Sequence, residues 1–423
     1  MPFPPQQIDA VKAAIQPERL LDTAVKLIGV PSPTRSGAAV ADRLHEILES
    51  DGFPVERPAC GWPDAPAVVA RFDSGRRGKT LQFNGHLDTV HLPFVPPRVQ
   101  DGILYGSGAI DMKGGVAAMV EALRAVRDSG LLAGGGILLT AHDLHEAPWG
   151  DGSQVDRLIE AGYAGDGALI PEYTAEILPV VGRGLAVLEV TVTRDGEPVH
   201  EVLGGIEQPS VIAVGADLVR RLTDLHRQLG ERGVAGAGVG CPEFNFPTAD
   251  SHAQNDVYGK LNSGHPTPTL KETVFIGQVH AGEIYNQSPT QFHLSGTRRW
   301  TRDSNPDDVR REFFDLLSAA EEGTGTQVEG EFHFVRNAFE LDERDWLVES
   351  FQEVCRAVRG EPLPTGVKPF VDDGNTFCAH GIPCVTHGPR GSGAHTLHEQ
   401  VSVAELERVA QYYALCALRF CDA

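Results

Sequence analysis

The sequence predicts an α/β protein carrying an inserted α+β segment of ferredoxin-like order. Three observations predict it. Apolar, strand-like runs alternate with helically spaced stretches as far as Ile170, the pattern of a sheet with helices on both faces. After Gly182-Arg183-Gly184 the order becomes β-α-β-β-α-β. Alternating α/β character then resumes near residue 336. A chain of 423 residues is longer than one core usually serves. The division read from these changes is residues 1–182 with 336–423 as one domain, and residues 183–335 as the insertion.

The elements follow in order. Leu20 to Ile28 and Ala38 to Ser50 have helical spacing, and Thr80 to Asn84 is a short apolar strand leading to His86. From Met112, the residues Val116, Met119, Val120, Leu123 and Val126 line a helix that Asp111 is placed to cap. Gly136 to Ala141 and Gly167 to Ile170 are strands ending at the polar stretches HDLHE and Pro171-Glu172. In the insertion, Leu185 to Thr193 alternates as a strand, and Val211 to Leu229 marks a long helix. Gly230 to Pro268 reads as an extended loop. Strands near Thr273 to Val279 and Gln291 to Thr297, a helix near Val309 to Ala320 and a strand near Val328 to Val335 complete it. Trp346 to Val358 and Val403 to Phe420 are the closing helices.

Composition excludes several classes. Lys+Arg 36 against Asp+Glu 58 gives a net charge of −22, which disfavours nucleic acid and anionic membranes as partners. No run of about 18 apolar residues marks a membrane span. The start, MPFPPQQIDA, lacks the basic and apolar regions of a secretory signal. The seven cysteines are scattered and form no C-x-x-C pair. Reduced thiols and a cytoplasmic location are expected.

Chemistry concentrates in a few segments. In NGHLDTV, His86 and Asp88 lie on one side of a strand, and a metal-bound imidazole usually donates its second N–H to a carboxylate. Asp111 lies in YGSGAIDMKGG, after glycines that allow a tight turn. His145-Glu146 and Glu172 follow strands, where ligand sites of open α/β sheets lie. His395 sits in the Gly-rich GAHTLHEQV. Singly, each reads as a solvated or capping residue; together they read as a metal site.

These motifs resemble the M20 family of metallopeptidases and deacylases, over nearly the whole chain. IPEYT, GEIYNQSP, GTRRW and GAHTLHEQV fall in the family's order. The resemblance implies a catalytic domain with a mixed sheet and an inserted lid that also mediates dimerisation. It implies that His86, Asp111 and Glu172 hold one divalent metal ion and that Asp111, Glu146 and His395 hold a second, with zinc, manganese or cobalt as the candidates. It also implies that His200 serves a neighbouring active site across a homodimer or larger homo-oligomer. Asn286 and Arg299 match residues that bind a substrate carboxylate, with Arg298 as the alternative one position away, and Gly374 lies in a loop near the substrate.

One position departs from the family. The usual glutamate base is replaced by His145, within HDLHEAPWGDGS. His145 is then a base, a third nitrogen ligand or a bystander, and Glu146 is the other candidate base; Asp88, the carboxylate that can take the second N–H of His86 directly or through the local turn, is counted with them as catalytic. The leading expectation is metal-assisted hydrolysis of an amide or related C–N bond in a small, carboxylate-bearing substrate. The alternatives are hydrolytic deamination of an amino-substituted aromatic acid, as in nitroanthranilate aminohydrolases, and a non-catalytic metal- or ligand-binding relative.

Overall fold

The computed structural model describes residues 3–148, 150–231, 271–368 and 370–422. The expected loop from Gly230 to Pro268 lies almost wholly outside them. A six-stranded sheet has the order β1-β2-β6-β3-β7-β17. Its strands are β1 (Val55–Glu56), β2 (Val68–Asp73), β3 (Thr80–His86), β6 (Gly136–His142), β7 (Gly167–Ile170) and β17 (Cys384–Thr386). The four strands from β6 to β17 are parallel, and β2 and β1 add antiparallel at one edge. Parallel strands covered on both faces read as continuous apolar runs, and β6 is buried at every position.

Helices α1 (Pro5–Ala14), α2 (Pro17–Ile28), α3 (Ala38–Ser50), α4 (Lys113–Ser129) and α5 (Ser153–Glu160) belong to this part of the chain. So do α8 (Trp346–Arg359), α9 (Asp373–Ala379) and α10 (Val403–Cys421). Helix α4 packs against α2 and α10 and is buried from Lys113 to Val126. It begins at Lys113, with Met112 in the cap position and no side-chain cap. The helix thus starts one residue after the expected Met112, and of the two roles open to Asp111, cap and ligand, the cap bond is not made: its carboxylate turns toward His86 and His395. Helices α8 and α10 start as their sequences predict, with Asp345 and Ser402 accepting the amides of Leu347 and Glu405.

A second, antiparallel sheet has the order β11-β13-β9-β14. Its strands are β9 (Gly184–Thr193), β11 (Thr273–Ala281), β13 (Gln291–Trp300) and β14 (Gln327–Arg336). Helices α6 (Val211–Glu231) and α7 (Pro306–Glu321) pack on this sheet. Strand β9 alternates between buried and half-buried positions along its length, so Leu188, Val190 and Val192 meet Val211, Leu218 and Phe313 in a separate core. A small hairpin, β10 (Val199–His200) with β12 (Gln287–Ser288), extends from it.

A third, three-stranded sheet forms where the chain passes between the two. Strands β8 (Leu178–Gly182) and β15 (Phe339–Glu340) pair antiparallel, and β16 (Thr365–Lys368) adds parallel to β8. A further sheet of β4 (Arg98–Gln100), β5 (Ile103–Tyr105), β18 (Gly391–Ser392) and β19 (Gln400–Ser402) has the order β18-β19-β5-β4. Among the described residues, no helix is long and apolar enough to cross a membrane.

Candidate metal centre and active site

The parallel strands deliver their carboxyl ends to one place. His86 ends β3 and is fully buried. Its Nδ1 lies 3.0 Å from the Asp88 carbonyl oxygen, so Nδ1–H donates there and Nε2 is left to accept. The Asp88 carboxylate oxygen is farther, at 3.5 Å. The expected carboxylate contact is therefore made chiefly through the local turn. The Asp88 carboxylate has a different task. Its Oδ2 accepts the Thr34 hydroxyl at 2.8 Å and the amides of His145 and Glu146 at 3.0 and 2.8 Å. One carboxylate thus fixes the strand bearing His86 against the loop bearing His145 and Glu146. Burial raises the Asp88 pKa, but bonds and charge from His86 outweigh it and leave it at about 2.

His86 Nε2 lies 3.1 Å from Asp111 Oδ1 and 3.6 Å from Glu172 Oε1. Asp111 Oδ2 lies 3.0 Å from His395 Nε2, which is 3.3 Å from Glu146 Oε1. Asp111 thus stands between two donor groups, His86 with Glu172 and Glu146 with His395. Donor atoms of His86, Asp111 and Glu146 all lie within 4.8 Å of one another. Mixed imidazole and carboxylate donors this close together suit a divalent cation.

The electrostatics fit a cation as well. Burial, then the charge of Asp111, pushes the Glu172 carboxyl up to about 7. Hydrogen bonds to Asp111 and Glu146 push His395 up to about 11. Burial opposes protonation of His86, but bonds to Asp111, Asp88 and Glu172 still raise it. Carboxylates this crowded take up protons unless a metal ion replaces them.

The loops carrying these groups are held locally. Gly108 in YGSGAIDMKGG has φ 85°, a backbone state that glycine adopts without cost. His395 itself has φ 60°, a left-handed conformation that costs a non-glycine residue about 1 kcal/mol.

His145 stacks on His86, with ring centroids 4.0 Å apart and planes at 10°. Its Nδ1 lies 3.0 Å from Asp373 Oδ1, and its Nε2 lies 3.5 Å from Glu172 Oε1. Burial and the His86 charge lower its pKa, but Asp373 outweighs them and the net shift is upward. His145 keeps 11% of its side-chain exposure where His86 keeps none, so it borders the open side of the pocket.

The remaining expected residues lie on the insertion or behind the pocket. The His200 ring Nε2 accepts from the Asn286 side-chain amide at 2.9 Å on the β10/β12 hairpin. Arg298 and Arg299 are neighbours on β13 and point to opposite faces. Arg298 is 3% exposed and pairs with Glu272 at 2.7 Å and Glu312 at 3.4 Å. Its charge is consumed within the insertion. Arg299 Nη1 is shielded from solvent and has no hydrogen-bond partner among the described residues. Burial, and then Arg183, lower the Arg299 pKa to about 10. Gly374 is buried in the first turn of α9, packed against Asp372 and Thr386.

Three supporting residues are not singled out by the sequence. Asp373 and Arg336 carry no motif signal and reach the site only in the fold, whereas Glu399 lies within GAHTLHEQV, four positions after His395. Asp373 receives His145, His142, Asn84 and Arg336. Glu399 accepts the amides of Gly108, Ile110 and Asp111.

Fold and site together define a metal-dependent hydrolase of C–N bonds, of the amide type. The chain belongs to peptidase family M20/M25/M40, whose pattern matches residues 82–419. It is 27% identical over 430 aligned positions to a succinyl-diaminopimelate desuccinylase of Methylobacterium radiotolerans, covering 94% of this chain and 95% of that one. Its fold resembles the aminopeptidase PepT of Bacillus cereus, with a TM-score of 0.73 at 17% identity over 96% of this chain and 99% of that one. It also resembles the Bacillus subtilis YxeP protein, a dinuclear metal-binding peptidase of the M20 family. There the TM-score is 0.64 at 15% identity, over 96% and 98% of the two chains.

Proposed function

We propose that the protein hydrolyses an amide bond in a small substrate that carries a carboxylate. The observation that carries this reading is Arg299, a half-buried side chain whose Nη1 is shielded from solvent and has no hydrogen-bond partner among the described residues. A shielded guanidinium N–H left without an acceptor is costly unless an anion completes it. A planar carboxylate matches its fork of donors.

His86, Asp111 and Glu172 would hold one cation, and Asp111, Glu146 and His395 a second; zinc, manganese and cobalt all suit these donors. When bound, such ions supply an acidified water and an electrophilic contact for the carbonyl oxygen. The residues do the rest. Asp88 fixes the ligand-bearing loops, His145 beside the ligands and Glu146 among them are the groups able to move a proton, and Arg299 with Asn286 holds the substrate carboxylate. His145 at the usual base position also sustains a second reading, hydrolytic removal of an amino group from an aromatic acid.

A homodimer through the inserted lid is part of the proposal. Around His200 and Asn286, Val202, Leu203, Ile206 and Tyr285 are 75%, 77%, 80% and 100% exposed. An exposed apolar cluster of this kind marks an association surface. A reducing compartment is supported by the six described cysteines, all free.

The test is turnover of metal-loaded protein against N-succinyl and N-acetyl amino acids, dipeptides and aminobenzoates. Cleavage of acidic amides, with Arg299→Ala raising KM, supports the proposal. Turnover of aminobenzoates alone would move the assignment to deamination. No turnover despite tight metal binding would favour a binding protein. Co-expression of His200→Ala with Asp111→Asn should restore activity if His200 serves the partner's site.

A further inference from the structure

We propose that Asn375 is the positioning residue that places Arg299 for the substrate, by holding both crossings between the catalytic domain and the lid on one side-chain amide. It rests on the amide-hydrolase reading, in which Arg299 receives the substrate carboxylate.

The insertion meets the rest of the chain at two crossings. One is Arg183, between β8 and β9, and the other is Asn337 with Ala338, between β14 and β15. Both pass the first turn of α9. Asn375 Nδ2 donates to the Arg183 carbonyl at 3.1 Å and to the Asn337 carbonyl at 2.7 Å. Asn375 Oδ1 accepts the Asp372 amide at 3.3 Å, and the residue is fully buried. A carboxamide carries two N–H donors on one nitrogen with an acceptor beside it. All three are used here. Aspartate has the same shape but no donor, and serine has only one.

The grip passes on to the end of β13. Asn337 Oδ1 accepts Trp300 Nε1 at 3.2 Å and the Ala338 amide at 2.8 Å. Trp300 is fully buried and pairs with Gly184, the residue after Arg183, while Arg299 pairs with Leu185. A Cβ on Gly184 would run into the Trp300 indole. The two crossings and the end of β13 therefore form one packed corner, and Arg299 is the residue of β13 next to it.

The other side of the clamp is equally fixed. Asn375 closes a capping box with Asp372, whose carboxylate also accepts the Gly374 amide at 2.7 Å and the Thr386 hydroxyl at 2.9 Å. Two residues before Asn375, Asp373 meets His145 Nδ1 at 3.0 Å and accepts Arg336 Nη2 at 3.2 Å. Arg336 ends β14 and donates to the Asp151 carbonyl at 2.6 Å. One helical turn thus touches the pocket through Asp373 and both crossings through Asn375. A lid that turned about its crossings would have to break those bonds, so they define where Arg299 stands.

The test uses two variants of the metal-loaded protein. Asn375→Asp keeps the shape and the Oδ1 acceptor but loses both donors, and Asn375→Ala loses them without adding a charge. The readouts are bound metal, kinetics on the best acidic amide and on its carboxamide analogue, and amide hydrogen exchange over residues 180–186 and 335–340. In both variants exchange should quicken at both crossings and bound metal should hold, while kcat/KM on the acidic amide falls about 10–100-fold. The carboxamide analogue, and the acidic amide in an Arg299→Ala background, should lose no more than about twofold. Equal losses on both substrates or in both backgrounds would mark a merely structural Asn375 and overturn the proposal, as would unchanged exchange at either crossing. In the wild-type protein the two crossings should open together as one unit during native-state exchange in low urea. Separate opening would overturn the proposal even where neither variant folds. An inactive wild-type protein would instead reject the amide-hydrolase reading, while the exchange data still test the clamp.

Discussion

Glu399 Oε1 accepts the backbone amide of Asp111 at 2.7 Å, so the segment that supplies His395 also holds the carboxylate between the two donor groups. The same carboxylate accepts Gly108 and Ile110 at 2.8 Å each. One side chain thereby completes three amides in the turn that aims Asp111.

Glu399→Ala leaves those amides without an acceptor, at about 1–3 kcal/mol for each unsatisfied group. The expected outcome is a metal dissociation constant about 10–100-fold weaker, as for other partners that orient ligands. Competition with a chromogenic chelator measures it. Unchanged affinity would show that the turn holds without Glu399.

Arg298 and Arg299 separate by readout. Arg298→Ala strands Glu272, which is 12% exposed, and is expected to destabilise the lid by about 3 kcal/mol. Arg299→Ala is expected to leave stability nearly unchanged and to raise KM for acidic substrates. Urea unfolding and steady-state kinetics on both variants decide the matter. The reverse pattern would move the substrate contact to Arg298.

The paired glycines of the DMKGG motif fix how closely α4 approaches its neighbours. A Cβ on Gly115 would stand 2.7 Å from the Pro171 carbonyl oxygen, directly before Glu172. Gly115→Ala must push α4 away from that ligand, at about 1–3 kcal/mol. Thermal unfolding should fall, and metal affinity should fall with it. A variant that loses neither would refute the close-packing role.

Metal binding should release protons. Without a cation Glu172 is pushed up to about 7 and His395 up to about 11. Both values are raised, so below them the groups hold protons that a metal ion must displace. Affinity therefore rises with pH, by about tenfold per unit for each proton displaced. Calorimetry near pH 6 and pH 8, in buffers of different ionisation enthalpy, counts those protons. An affinity independent of pH would contradict this account.

Much of this was legible in the sequence because it is local. Strand-end polar residues after apolar runs located His86, His145, Glu146 and Glu172, and these lie together in the structure. The β-α-β-β-α-β order was readable because alternation of period two and spacing of 3.6 are short-range patterns. Asp111 was open to both a capping and a ligand role, because a carboxylate before a helix has the same local signature whether it caps or faces a histidine.

What the sequence determined by itself was the fold class, the family resemblance and the ligand-type side chains, all carried by residues close together along the chain. Only the tertiary structure decided which partners those side chains meet. Asp373 reaches His145 from 228 positions away, and Glu399 reaches Asp111 from 288. The sequence left Arg298 and Arg299 one position apart and undivided. The pleat of β13 divided them, turning one into a buried ion pair and the other to the opposite face. Contacts between distant segments depend on which strands become neighbours in a sheet, and no local pattern encodes that.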